Sequence, residues 1–144
     1  MTTISKNALV RYSAAEMFAL VNDIESYPQF LPWCRSVRVL SRTAAEVRAT
    51  LELARGGIQK SFTTSNRLQP NKMIEIRLVE GPFRHLSGFW RFDQLGEQAC
   101  KVSLDMTFEF VPLLDFVIGP VFQPIANSLV DAFHGRAVQM YGKR

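Results

Sequence analysis

The sequence predicts an α+β protein: a single antiparallel sheet with one helix fed in near its start and a long helix at its end. Three observations carry this reading. Apolar residues alternate with polar ones in successive segments between residues 47 and 110, a helical spacing replaces that alternation after residue 120, and a capped helix follows the first extended segment.

Ile4 to Tyr12 mixes β-branched and polar residues and reads as the first strand. Ser13 and Glu16 then form a capping box, in which hydroxyl and carboxylate each satisfy a free backbone N–H. Met17, Leu20, Val21 and Ile24 recur at helical spacing, so residues 14 to 24 are expected to be an amphipathic helix. The next stretch, YPQFLPWC from Tyr27 to Cys34, is unusually apolar for a connector, and Pro28 and Pro32 forbid a long helical continuation.

Val47, Ala49, Leu51 and Leu53 share one phase of a strand whose other phase is polar. Gly56 and Gly57 mark a tight turn into a strand from Ile58 to Leu68 that carries Phe62. Pro70 and Asn71 turn the chain again, and Ile74, Ile76 and Leu78 alternate. Leu86, Gly88, Trp90 and Phe92 share a face, Gly96 breaks the run, and Cys100, Val102, Leu104, Met106, Phe108 and Phe110 give the cleanest alternation in the chain. Short turns between such strands describe an antiparallel meander. Val121, Phe122, Ile125, Leu129, Phe133, Ala137 and Met140 are then spaced for one face of a long helix, with Pro120 in its first turn and Pro124 bending it or delaying its regular start.

The 144 residues are read as one domain, 1–144, large enough to bury a core without metal or disulfide support. The charge of +4 and pI near 9.4 suit an acidic partner such as nucleic acid, a ribosomal surface or an anionic membrane, and equally a basic protein whose charge only keeps it in solution. Cys34 and Cys100 match no disulfide or zinc spacing and read as buried thiols in a reducing compartment. The N-terminus lacks the features of a secretion signal, and the apolar run from Phe110 to Phe122 is broken by prolines and too short to span a bilayer, so a cytoplasmic location is expected.

Catalytic chemistry finds little support. His85 and His134 are the two histidines and have no partner at metal-ligand spacing, while Asp105 and Glu109 fall on the wet face of their strand. No nucleophile elbow, phosphate-binding glycine loop or zinc motif is present. What the chain has in excess is apolar bulk, with eleven phenylalanines and two tryptophans. A curved sheet around a helix leaves room for a cavity and an apolar ligand, although each aromatic taken singly is ordinary core.

The segments NDIESYPQFLPWC, KSFTTSN, LVEGPFRHLSGFWRF and CKVSLDMTFEF together resemble the coenzyme Q-binding, polyketide cyclase-like branch of the START superfamily, and most nearly its bacterial ribosome association toxins. The resemblance implies a START-like helix-grip fold, with a curved sheet of about six to seven strands around the C-terminal helix and two short helices after the first strand. It also implies non-catalytic binding of ubiquinone or a similar lipid, with no cofactor required, in support of respiratory electron transport. The alternative is a toxin that binds the large ribosomal subunit and blocks subunit joining. Polyketide cyclisation is a third and weaker implication.

On the first of these readings the ligand is lined by Leu31, Trp33, Phe62, Phe83, Leu86, Trp90, Met106, Phe108, Phe122, Ile125 and Leu129. Tyr27, Phe30 and Pro32 form an entrance or lid, with Trp33 at its rim. Lipid collection would add transient contact with the inner membrane surface, through GPF and LLDFVIG and the basic Arg35, Arg38 and Arg84. On the ribosomal reading Arg11, Arg48, Lys60, Arg67 and Arg91 contact phosphates.

Overall fold

A computed structural model describes all residues, 1–144. Its elements run β1 (Thr2–Val10), α1 (Ala14–Asn22), a 3-10 helix (Ile24–Gln29), β2 (Cys34–Arg42), β3 (Glu46–Arg55), β4 (Ile58–Gln69), β5 (Met73–Glu80), β6 (Phe83–Gly96), β7 (Ala99–Phe110) and α2 (Pro112–Tyr141). The seven strands form one antiparallel sheet in the order β1-β7-β6-β5-β4-β3-β2, so six follow one another as a meander and β1 closes the far edge against β7. The expected α+β helix-grip architecture is therefore the observed one.

Local chemistry explains the turns. Gly56 and Gly57, both at positive φ (61° and 79°), make the two-residue hairpin between β3 and β4, a backbone that glycine adopts without a steric cost. Register shifts interrupt the β2–β3, β4–β5 and β6–β7 pairings, and each such bulge adds bend and twist to the sheet. The sheet curls around α2, and one hydrophobic cluster joins its inner face to both helices.

Four boundaries differ from expectation. The first strand lies two residues earlier than Ile4–Tyr12. The helix begun by the Ser13–Glu16 capping box ends at Asn22, and the rest of its expected span turns into the 3-10 helix that contains Pro28. β2 was not delimited by alternation, because as an edge strand it leaves Val37 and Val39 only half-buried. The largest correction is α2, which starts at Pro112, so Pro120 lies in its interior rather than in its first turn.

The interior prolines are tolerated because of where they fall. Phe116, Pro120, Pro124 and Ser128 are four apart on the exposed side, so the carbonyls of Phe116 and Pro120, which lose their helical donors, face water. By length and composition alone α2, which continues well past the run from Phe110 to Phe122, is long and apolar enough to cross a membrane. In the fold its Ile118, Phe122, Ile125, Ala126, Val130, Phe133 and Ala137 are buried in the grip of the sheet.

Candidate functional site

Between the inner face of the sheet and α2 lies a chamber of about 80 Å³, lined by sixteen residues of which fourteen are hydrophobic. Two aromatic groups mark its ends. Phe122 packs edge-on to Phe62, Phe83, Phe108 and Phe110 with ring centroids 6.4, 5.2, 4.9 and 5.5 Å away. Phe133, eleven residues and about 16 Å of helix rise further on, meets Tyr27, Phe30 and Trp90 at 5.4, 5.3 and 5.3 Å. The separation of these two hubs along one helix holds the space between them open.

The structure brings most of the expected lining together. Trp33, Phe62, Leu86, Trp90, Met106, Phe122, Ile125 and Leu129 all face the chamber. Leu31, Phe83 and Phe108 do not. Leu31 is buried within the connector, and Phe83 and Phe108 pack edge-on to Phe122 behind the wall.

The entrance residues are distributed differently from expectation. Tyr27 is a wall residue, Phe30 is half-buried against Phe133, and Pro32 is exposed on the outside. Trp33, expected at a rim, is only 6% exposed and belongs to the wall itself. The YPQFLPWC connector therefore seals the flank of the chamber beside the C-terminal half of α2, where Arg136 donates to Gln29 at 2.9 Å and lies over the Phe30 ring at 4.9 Å. Gly81, Pro82 and Phe83 sit elsewhere, at the N-terminal end of α2, where the Val111 N–H donates to Pro82 O at 3.2 Å. Leu113, Phe116 and Val117 stand in solvent at that same end.

Val21, Ile24, Leu51, Thr64, Asn66, Ile76 and Phe133 complete the lining and were not anticipated. The signal for the polar pair was present: in KSFTTSN the period of two that begins at Phe62 continues to Thr64 and Asn66. Gly88 contributes by having no side chain. It occupies the inward phase between Leu86 and Trp90, and a Cβ there would lie 2.7 Å from the Asp105 carbonyl oxygen. Bare backbone at that position lets the β7 backbone approach closely where a side chain would collide with it.

The electrostatics suit an apolar occupant. Tyr27 is the one ionisable side chain in the wall; burial drives its pKa upward, and its hydroxyl donates to Val21 O, so it stays neutral. The Cys34 and Cys100 thiols are buried and pushed up to about 11, chiefly by that burial, so neither is a nucleophile near neutral pH. His85 bonds Ser87 at 3.0 Å on the outer face, and the exposed Asp105 accepts from Ser5 at 2.8 Å. No group of side chains is placed to hold a metal ion.

The outer face of the sheet is polar and rich in arginine. Arg48 pairs with Glu46 at 3.2 Å and Arg77 with Glu75 at 2.9 Å, while Arg67 and Arg91 are exposed on the same face. The aromatics concentrate on the opposite, inner face.

Comparison with known proteins follows the same geometry. The profile of the family described as polyketide cyclase / dehydrase and lipid transport matches residues 10–134. A ribosome association toxin, RatA, of Pseudomonas aeruginosa is 47% identical over 142 residues, covering 98% of this chain and 99% of that protein. A mitochondrial coenzyme Q-binding protein, COQ10 homolog B of Xenopus laevis, is 27% identical across 97% of this chain and 59% of that protein. Among solved structures, a START superfamily protein from Mycobacterium smegmatis superposes with a TM-score of 0.78 at 25% identity, covering 96% of this chain and 98% of that one. The ZhuI aromatase/cyclase of a Streptomyces species shares the fold at 18% identity with a TM-score of 0.79, covering 99% of each chain.

Proposed function

The chain belongs to the polyketide cyclase / dehydrase and lipid transport family, and from that premise we propose that it binds an apolar, ring-bearing lipid of the ubiquinone type in the chamber between sheet and α2, without catalysing a reaction on it. The supporting observation is the wall itself, almost wholly hydrophobic and with its single ionisable side chain kept neutral. Such a wall recognises by area, at about 0.8 kcal/mol for each methylene removed from water. A cyclase would need an acid and a base within reach of the substrate, and this wall supplies neither.

The chamber volume of about 80 Å³ is smaller than the roughly 150 Å³ cavity that holds a benzene ring, so a ring enters as the wall side chains part, and a full polyisoprenoid chain stays outside. The tail then leaves along α2 towards its loosely held N-terminal end, where exposed Leu113, Phe116 and Val117 meet the inner membrane surface transiently and the exposed Arg84 neighbours anionic headgroups. The protein is on this reading cytoplasmic, a quinone chaperone for respiration that needs no cofactor. Trp33 and Trp90 are the two tryptophans and both face the chamber, which makes intrinsic fluorescence a direct reporter. Titration with a short-chain ubiquinone analogue is expected to quench their emission saturably, and solvent extraction of the purified protein to yield a quinone by mass spectrometry. An unchanged emission together with an empty extract overturns the proposal.

A second reading is favoured by the near full-length 47% identity to a protein named for ribosome association. Here the arginine-bearing outer face docks on the large ribosomal subunit and hinders subunit joining. If Arg48, Arg67, Arg77 and Arg91 each neutralised a phosphate, log K would fall with log salt at a slope of roughly −3. Co-sedimentation with large subunits at two salt concentrations tests this, and absence from the pellet at low salt refutes it. The faces used by the two readings are opposite, so one chain has room for both.

A further inference from the structure

We infer that the chamber contains a hydrogen-bond acceptor for its ligand, the Asn66 side-chain carbonyl assisted by the neighbouring Thr64, and that the preferred ligand presents a hydroxyl group there: a phenol, hydroquinone or similar alcohol head on an apolar body. This rests on the chamber's being a ligand site, and it adds the chemistry of the head group.

Asn66 Oδ1 is buried and no protein group donates to it. The second such atom, Oδ1 of Asn22, belongs to a residue beside an open groove at the surface end of α1 and has a different setting. Asn66 lies in the middle of β4, across from Val47 on β3 and Ile76 on β5, and Ile76 in turn faces Gly88. The amide therefore interrupts a row that is apolar or bare on both sides. A buried acceptor left without a donor costs about 1–3 kcal/mol, which a hydrophobic residue at the same place would avoid. Thr64, 5% exposed and two residues earlier on the same face, is the one other non-aromatic polar side chain in the wall. Its neighbour Thr63 is already paired with Thr50 at 2.7 Å, whereas Thr64 faces the chamber. Two adjacent polar side chains in an otherwise hydrophobic chamber fix which end of an amphiphilic ligand enters first.

The test uses 4-butylphenol, its methyl ether and butylbenzene, which share ring and chain but present an O–H, an acceptor oxygen and no polar atom. Binding is measured calorimetrically, with the Trp33 and Trp90 indole N–H resonances reporting occupancy of the chamber. Wild type is expected to bind the phenol about five- to tenfold more tightly than the ether, the worth of one neutral hydrogen bond. Asn66→Leu is expected to remove that preference while keeping or improving affinity for butylbenzene, and Asn66→Ala serves the same purpose if the leucine variant does not fold. Equal affinity of wild type for phenol and ether overturns the inference but leaves the chamber a ligand site. A phenol preference that survives at Asn66 variants and disappears in Thr64→Val overturns the assignment to Asn66. If none of the three compounds moves either indole resonance, the underlying reading of the chamber fails with it.

Discussion

The two ends of α2 are built on opposite principles. At the C-terminal end the Tyr12 hydroxyl donates to Gly142 O at 2.7 Å, the Tyr141 hydroxyl to Glu16 O at 3.2 Å, and the Arg144 guanidinium grips the Glu16 carboxylate at 2.7 and 2.9 Å. Arg144 also lies over the Tyr12 ring at 5.0 Å. At the N-terminal end Val111 offers no side-chain cap, and Leu113 and Phe116 are 87% and 86% exposed. The chamber lies between a fastened end and a loose one, so its opening is expected to be a movement of the N-terminal turns. On the lipid-binding reading, stability and access fall to different stretches of a single helix.

The comparison is broken most forcefully at the junction between these ends. Phe122→Ala removes the ring around which Phe62, Phe83, Phe108 and Phe110 are arranged, and it is expected to cost about 3–5 kcal/mol in urea-induced unfolding. A loss below about 1 kcal/mol would mean that the hub is loosely packed and that the N-terminal half of α2 is not held by it.

Phe122 also shows how much was legible beforehand. Its place on a helical face, and the alternation of Phe62, Trp90 and Met106, put these residues on the inner surface from spacing alone, because period is a direct consequence of backbone geometry. Thr64 and Asn66 carry the same signal, but polar residues in the inward phase conflict with the usual content of a core. The start of α2 at Pro112 was not readable from apolar period. Leu113, Phe116 and Val117 are apolar and exposed, so hydrophobicity and burial separate over these turns. Leu31 and Pro32 illustrate a further limit: inside a proline-held connector neither period applies, and which side chain turns inward depends on tertiary packing.

The fastened end predicts smaller effects. Tyr12→Phe deletes the bond to Gly142 O while keeping the ring that packs on His134 and Tyr141, so a loss of about 1 kcal/mol is expected in the same unfolding experiment. The Glu16–Arg144 pair adds a pH dependence. Its hydrogen bond to Arg144, followed by that from the Ser13 N–H, lowers the Glu16 pKa from 4.5 to about 2. A carboxylate with a lowered folded-state pKa contributes stability above its unfolded value, and that contribution is lost as pH falls from about 4.5 towards 2. Glu16 is at the surface, so the effect is modest. Thermal unfolding across that interval is expected to fall less steeply for Glu16→Gln than for wild type; identical slopes would assign the acid sensitivity to other groups.

The loose end supplies the smallest effect on stability and the clearest separation of roles. Phe116 has almost no packing to lose, so Phe116→Ser is expected to change unfolding free energy by less than about 0.5 kcal/mol. Tyr12→Phe, at the other end, is expected to shift stability without altering contact with lipid. If the N-terminal turns of α2 are the membrane-facing side, Phe116→Ser must reduce co-sedimentation with vesicles containing anionic lipid and slow ligand transfer from them, while affinity for a soluble ligand already in the chamber stays unchanged. The pair of variants then moves stability and vesicle binding independently. Should Phe116→Ser leave vesicle binding intact, the exposed leucine, phenylalanine and valine serve another partner, and the ribosomal reading gains the surface that the membrane reading gives up.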